Sequence, residues 1–398
     1  MAVTPEKTLL VLAACLFVLL GYFLVERILL SRRLRRIPLR ICVTGTRGKS
    51  TVARLIASTL REAGFTVMAK TTGSKPVVIF PDGTEKEIVR RGKPSILEQK
   101  KILKLAVRTG AQALVAEMMS IRPECMRVES VKIFGPRVLA VTNVRLDHLD
   151  DMGRIKSEIA ASLAAAVPEN GTVFIPEEEF YPVFQETAEK GGSRVVRVSQ
   201  RRLDAEWTGR DFPENIRLTL AVAEFLGIRE DVTRACIEKA RPDFGGLKIW
   251  KIPAGDSGRE RFLVSAFAAN EPESTGKVLE ILRRKIPDSP RKLIALLNLR
   301  ADRGDRTEQW LRAFNEGFFD SFERIVLAGD QTKPLSKKMA NNKCSKAKVS
   351  TIPRRQADRV TAELLALAGE GGVVVGMGNM GGLGAALIDH WAGVGVPA

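Results

Sequence analysis

Residues 41–60, ICVTGTRGKSTVARLIASTL, restrict the possible folds more than any other stretch of the chain. An apolar, β-branched run stops at Thr44-Gly45, a short loop carries Lys49 and two hydroxyls, and apolar residues then recur at helical spacing, so the order is strand, loop, helix. Such a loop is an anion cradle. Its backbone N–H groups and the positive end of the following helix face the same point, and a lysine and a hydroxyl beside them suit phosphate and Mg²⁺. The common phosphate loop, G-x-x-x-x-G-K-[ST], needs glycine at position 43, where this chain has Val43; its loop opens at Gly45 and is two residues shorter. Thr44, Gly45, Thr46, Arg47, Gly48, Lys49, Ser50 and Thr51 are the candidate nucleotide-binding residues.

From residue 39 onward, apolar β-branched runs alternate with helical patterns. LRICVTGT, ALVAEMM, RVLAVTNV, GTVFIP and RVVRVS read as strands, with TVARLIASTLREAG, SILEQKKILKLAVRTG and KSEIAASLAAAVP as helices between them. That alternation predicts an α/β fold with a parallel sheet. After a helical stretch near 213–240 the rhythm starts again, with FLVSAFAA, KLIALLNL, RIVLAGD and GGVVVGMG as strands and GKVLEILRRKI and TEQWLRAFNEGF as helices. The expected organisation is a segment 1–37, a central α/β domain over 38–240, and a smaller doubly wound, Rossmann-like α/β domain over 241–398. KKMANNKCSKAKV, 337–349, reads as a mobile, solvated loop.

The first segment has its own signature. Thr8 to Val25 carries no charge and is about long enough to cross a bilayer as a helix. Arg27, Arg32, Arg33, Arg35, Arg36 and Arg40 follow it, against Lys7 before it, which predicts a single-pass cell-membrane anchor with the rest of the chain cytoplasmic. A cleaved signal peptide would carry its charge ahead of the apolar run. A lipoprotein site at Cys15 would not be followed by ten more apolar residues. The formal net charge of +17 favours a polyanionic partner: nucleic acid, an anionic membrane surface or an acidic substrate. The five cysteines are scattered without a C-x-x-C pair and read as reduced.

Further candidate chemistry lies where predicted strands end, which is where ligands gather in parallel sheets. Glu117 closes ALVAEMMS and can hold a cation that accompanies a nucleotide. RVLAVTNV runs into Arg145-Leu146-Asp147-His148-Leu149-Asp150-Asp151; imidazole among carboxylates suits a divalent metal, and the same spacing also suits a capped turn. His390, in the terminal helical pattern, reads as structural. In the second unit FAANEPEST places Asn270 after a strand, and NLRADRGDR places Arg300, Asp302, Arg303 and Arg306 after another, as groups able to close over a polyphosphate or, equally, as a charged surface loop. Gly376, Gly378 and Gly381 formally match G-x-G-x-x-G, but about twenty residues remain, too few for the second strand of a dinucleotide site.

Taken in order, TGTRGKST, the strand-end Glu117, TNVRLDHLD and an A-x-N-x-P element in the second unit resemble the Mur ligase and folylpolyglutamate synthase superfamily of ATP-dependent amide ligases. With the apolar N-terminus and KTTGS, FAANEPEST and NLRADR, the chain is similar to the membrane-anchored ligase subunits of poly-γ-glutamate synthases, enzymes of capsule biosynthesis type. The resemblance implies phosphorylation of a carboxylate by ATP with Mg²⁺ or Mn²⁺, followed by attack of an amine. It implies that Lys49, His148 and Arg300 are catalytic, that Asn270, Arg300 and Asp302 join the loop in binding nucleotide, and that Ser50, Glu117 and His148 serve metal, with Asn143 and Asp147 supporting that turn. Thr72, Gly73 and Ser74 would form a substrate wall. The family's carbamylated lysine finds no match, since Lys156 lies only eight residues after His148. Glutamate, poly-γ-glutamate and other membrane subunits are the implied partners, with an oligomer possible and no nucleic acid. A basic cleft would concentrate the polyanionic product. The alternative from another class is a membrane-anchored P-loop kinase or motor-type ATPase, against which the short loop stands; a binding module with a relict nucleotide site is a third reading.

Overall fold

The computed structural model describes residues 5–73, 76–90, 92, 94–200, 203, 213–239, 247–253, 259–286, 292–341, 347–353 and 356–398. Helix α1, Pro5–Arg36, contains the apolar run, and every residue from Thr8 to Val25 is exposed. It is the one described helix long and apolar enough to cross a membrane.

The first sheet has eight strands: β1 Leu39–Thr44, β2 Val67–Thr71, β3 Val77–Ile79, β4 Glu85–Glu87, β5 Ala113–Glu117, β6 Val138–Val141, β7 Thr172–Ile175 and β8 Arg194–Arg197. Their order is β4-β3-β2-β5-β1-β6-β7-β8, parallel from β2 to β8, with β3 and β4 added as an antiparallel edge. The central strands are buried on both faces, which is why their sequences are continuous apolar runs with no alternation. Helix α2, Lys49–Glu62, packs one face together with the helix Pro213–Phe225; helix α3, Glu98–Arg108, and the helix Lys156–Ala164 pack the other.

The second sheet comprises β9 Lys248–Ile252, β10 Arg261–Ser265, β11 Leu293–Leu299, β12 Arg324–Gly329, β13 Lys348–Thr351, β14 Val373–Gly378 and β15 Val396–Pro397. Its order is β13-β12-β11-β14-β10-β9-β15, with β9 and β15 antiparallel to their neighbours. The strands expected from sequence are present. Three features differ from expectation. Short strands β2 to β4 and a π-helical turn, Val128–Phe134, carry too few periodic residues to be read in advance. Of the stretch expected as a loop, residues 337–340 belong to the helix Thr332–Ala340, which Leu335 and Met339 hold to the core, and 348–351 form β13. Residues 342–346, with Cys344, lie outside the described residues, as does the expected boundary at 240/241.

The glycines of the G-x-G-x-x-G match serve packing. A Cβ on Gly376 would stand 2.4 Å from the Phe267 ring, and one on Gly378 would stand 2.5 Å from the Asn298 carbonyl. No further parallel strand follows β14 among the described residues: the chain ends in the helix Leu383–Val394, with His390 on it, and β15.

Candidate active site

The register of the first sheet brings the sequence candidates to one end. β1 is flanked by β5 and β6, so the loop after β1, Glu117 at the end of β5 and the segment after β6 all emerge at the carboxyl edge of the sheet. The loop itself is shaped by two glycines. Gly45 has φ 119°, and a Cβ there would lie 2.1 Å from Thr142 Oγ1; Gly48, the N-cap of α2, has φ 76°, and its Cβ would lie 2.5 Å from Asn215 Oδ1.

Asn143 clamps this loop from β6. Its Oδ1 accepts from Thr46 Oγ1 at 2.7 Å and from the Arg47 N–H at 3.0 Å, while its Nδ2 donates to the Arg47 carbonyl at 3.1 Å. Thr46 Oγ1 in turn accepts from the Arg145 N–H at 2.9 Å. Thr44 is buried at the end of β1, and Thr51 lies in the first turn of α2. Lys49 Nζ folds back over the loop, donating to the Gly45 carbonyl at 2.7 Å and the Thr46 carbonyl at 3.2 Å. Burial pushes the Lys49 ammonium below its ordinary value, with Glu117 and Asp147 opposing that shift.

Ser50 and Glu117 stand together. Ser50 Oγ donates to Glu117 Oε2 at 2.6 Å, and the same oxygen accepts from the Thr72 N–H at 2.6 Å. A hydroxyl and a carboxylate at one end of the loop fit a Mg²⁺ that keeps waters and takes its remaining ligands from phosphate oxygens. Thr72 therefore meets Glu117; Gly73 is exposed, and Ser74 lies outside the described residues.

Of the two readings its spacing allows, the Asp-His segment takes the turn: His148 is the N-cap of a short helix, Leu149–Met152, and its carbonyl accepts from the Asp151 and Met152 N–H groups at 2.9 Å. Asp147 is buried beneath three guanidinium groups: Arg47 at 2.8 Å, Arg303 at 2.8 Å and Arg306 at 3.1 Å. Burial alone would raise its carboxyl, but Arg47, Arg306, His148 and Arg303 hold it well below the ordinary value. Asp151 pairs with Arg122 at 2.9 Å. Among the described residues no group of three or more His, Cys, Asp or Glu side chains is placed to hold a metal; Asp147 and Asp151 are arginine partners. His148 itself sits at φ 49°, 3.6 Å from Asp147, and burial lowers its imidazole below the ordinary value. It is half exposed beside the loop, available as a single nitrogen ligand.

Arg303 and Arg306 come from the second domain, and they are not the only groups to cross. Arg47 donates to Asn270 Oδ1; Arg145, 8% exposed, meets Glu177, Glu214 and Glu273; Lys277 pairs with Glu214 at 2.6 Å and Lys156 with Glu273 at 2.9 Å. Burial brings the Arg306 guanidinium down to about 10. Arg300 takes another direction: it binds Asp302 at 2.7 Å on an exposed loop and lines a cavity of about 820 Å³. Asn298, Asp330, Gln356, Arg359 and Gly381 also line it, at the carboxyl ends of β11, β12 and β14. Of the four candidates in this loop the resemblance assigns Arg300 and Asp302 to nucleotide, whereas the side chains that reach the first domain are Arg303 and Arg306, three and six residues after Arg300. Sequence reasoning also missed Asn215, a single polar residue with no motif around it, and gave Arg145 no role although it lies within TNVRLDHLD; burial is the signal that marks both.

Comparison with known proteins bears on this geometry. The profile of the Mur ligase middle domain matches residues 43–223, and that of the poly-gamma-glutamate synthase CapB C-terminal domain matches residues 252–393. The capsule biosynthesis protein CapB of Bacillus anthracis is 33% identical over 335 residues, covering 82% of this chain and 70% of that protein. The PGA synthase CapB of Bacillus subtilis is 30% identical over 389 residues, covering 96% of each. In fold the chain is similar to E. coli FolC in complex with DHPP and ADP, with a TM-score of 0.62, 16% identity and coverage of 93% of this chain and 92% of that one. It is also similar to MurF from Acinetobacter baumannii, with a TM-score of 0.62, 15% identity and coverage of 91% and 80%. The chain belongs to the CapB family of poly-γ-glutamate synthases, ATP-dependent carbon–nitrogen ligases built on the Mur ligase fold.

Proposed function

We propose that this ligase extends poly-γ-glutamate at the cytoplasmic face of a membrane by activating a γ-carboxylate with ATP and joining it to the amino group of glutamate. The carboxylate oxygen attacks the γ-phosphorus, ADP leaves, and the amine then attacks the acyl carbon. A C–N bond forms, the C–O bond to phosphate breaks, and the amine's proton leaves with the phosphate. The observation that carries the reading is the Ser50–Glu117 pair set under a loop clamped by Asn143, with Arg303 and Arg306 delivered from the second domain.

Lys49 and the loop N–H groups would hold the β- and γ-phosphates. Ser50 and Glu117 would hold Mg²⁺, with His148 as a further ligand nearer the carboxylate; the metal supplies charge neutralisation on the transferring phosphoryl group. Asp147 fixes the positions of Arg47, Arg303 and Arg306 and so presents their remaining N–H groups to the cleft, where they stabilise charge that grows in transfer. Arg300 and Arg359, in the open cavity, supply positive charge for the carboxylates of incoming glutamate. The exposed apolar helix is the anchor, and other membrane subunits would carry the polymer across.

The test is product analysis. Membranes holding the chain and its neighbouring subunits are given ATP, Mg²⁺ and labelled glutamate, with Lys49→Ala beside them. A γ-linked labelled polymer formed with ADP and absent from the variant supports the reading; phosphate on protein with monomeric label supports the kinase alternative.

A further inference from the structure

The anchor is not a loose tether. Below the apolar run, Glu26, Leu30, Arg33 and Leu34 are half-buried and Ile37 fully buried, a helical spacing that marks one face of α1 packed on the central domain. Leu30 and Leu34 pack against the same core as α3. Glu26 pairs with Lys100 in the first turn of α3 at 2.6 Å. At the other end the Leu39 N–H donates to Gln112, which follows α3. α1 and α3 therefore run side by side in one direction.

Arg40 fixes the lower end. Its guanidinium donates to the carbonyls of Leu34 and Ile37 at the end of α1, and to those of Phe134 and Gly135 beside the start of β6. One charged side chain thus closes the helix terminus and joins it to the sheet, in hydrogen bonds of the stronger kind.

The upper end of α3 is fixed to the catalytic end of the sheet. Glu98 pairs with Lys70 of β2 at 2.8 Å, and Lys70 donates to Gln99 at 2.9 Å. Gln99 donates to Glu129, whose carboxylate accepts from the N–H groups of Met119 and Ser120, two and three residues past Glu117. The turn of α3 that holds Glu26 is therefore level with the carboxyl ends of the strands. Chain length agrees. From Glu26 to Arg36 the helix descends about 15 Å, and β1 climbs back about 17 Å to Thr44 and the phosphate loop.

Beyond Glu26 the exposed apolar run continues for about 27 Å in the same direction, away from the amino ends of the strands. We infer that α1 holds the catalytic end of the central sheet toward the bilayer, so that the nucleotide cleft opens near the level of the lipid headgroups and the polymer is made beside the membrane surface. Asn270, Glu273, Arg303 and Arg306 meet the central domain at this same end, so the cleft between the domains lies there too. The partner that this face fits is a headgroup surface, approached with exposed Arg27 at the end of the apolar run. A product carrying one carboxylate per residue would then enter a membrane subunit without crossing the cytoplasm. The inference rests on the anchor reading above.

The experiment uses the full chain with its five native cysteines replaced by serine, in nanodiscs of phosphatidylcholine and phosphatidylglycerol that carry an acceptor dye on the headgroup. A donor is attached in turn to Glu124→Cys, exposed just past the carboxyl end of β5, and Glu169→Cys, exposed before β7 at the opposite end. Retained ADP binding shows that each labelled chain is folded. The expected result is energy transfer severalfold more efficient from position 124 than from 169. Equal transfer, or more from 169, overturns the inference while leaving the anchor intact. A chain that separates from the discs in gel filtration overturns the anchor reading itself, and this inference with it.

Discussion

The two halves of the active site are built in opposite ways. On the central domain every group is held by another: Asn143 clamps the loop, Ser50 and Thr72 hold Glu117, and Asp147 binds three guanidinium groups, nearly all of it buried. On the second domain Arg300 and Asp302 are exposed and satisfy each other at the mouth of an open cavity. The difference fits the two tasks of the proposed reaction. Stabilising charge on a transferring phosphoryl group requires donors fixed before the reaction, in surroundings that exclude water. Admitting a small zwitterion and releasing a longer polymer at each cycle requires an open, polar wall.

The first way to break this comparison is at the fixed half. Lys49→Ala should reduce kcat on the order of 10³-fold, the scale of losing one preorganised charge on developing negative charge. Glu117→Gln should act through the metal instead, raising the Mg²⁺ concentration needed for half-maximal ADP release. Steady-state kinetics at varied Mg²⁺ separate the two, and a Glu117→Gln enzyme with unaltered Mg²⁺ dependence would show that the Ser50–Glu117 pair is only structural.

Asp147→Asn should be next in size. Removing one partner of a buried charge cluster costs about 3 kcal/mol. Here it leaves Arg47, Arg303 and Arg306 facing one another. The sign with pH follows from the direction of the shift. The folded carboxyl lies well below its unfolded value of about 3.9, so its contribution is complete at neutral pH and is lost as pH falls below about 4 toward the folded value. Urea midpoints of the parent and Asp147→Asn should therefore differ clearly at pH 7 and converge below pH 4; a constant gap would mean that the arginines do not depend on that charge.

The fold of the central domain was legible because the candidate loop and the sheet beneath it share one signal. An apolar strand, a glycine-bearing turn and a lysine next to a hydroxyl identify both the loop and the sheet that supports it, and Glu117 is marked by ending another apolar strand. The same logic left two readings open at Asp147. Spacing shows carboxylates near an imidazole but cannot show that three arginines, two from a different domain, claim the carboxylate first. In the second domain NLRADRGDR offered four charged candidates within seven positions. Which of them turn toward the first domain depends on where the helix Gly304–Asn315 begins, a boundary that periodicity fixes only to within a few residues. Asn215 had no local signal at all, and Arg145 had a motif around it but nothing to show that three carboxylates would meet it.

Arg300→Ala sharpens the comparison at the open half. If the cavity receives glutamate, this change should raise the KM for glutamate about tenfold, the scale of one exposed charge-assisted hydrogen bond, with kcat and the KM for ATP little changed. A change in the KM for ATP alone would return Arg300 to the nucleotide, and the two halves would no longer divide their tasks.

The smallest expected effect distinguishes buried from exposed charge by its response to salt. Arg47, Arg303 and Arg306 work at contact distance and largely out of water, where mobile ions screen little; a polyanionic product held by exposed arginines and lysines of a +17 chain is held across water. Raising ionic strength from about 0.05 M to about 0.2 M shortens the screening length through the range of about 10 Å over which such surface charges act. Affinity for an oligo-γ-glutamate should fall severalfold over that interval, while affinity for ADP at saturating Mg²⁺ changes by less than about twofold; titration calorimetry of both ligands at the two salt concentrations measures this. Equal salt dependence would mean that the polymer is gripped by the same buried arginines as the phosphates, and the surplus charge would then have no part in holding product.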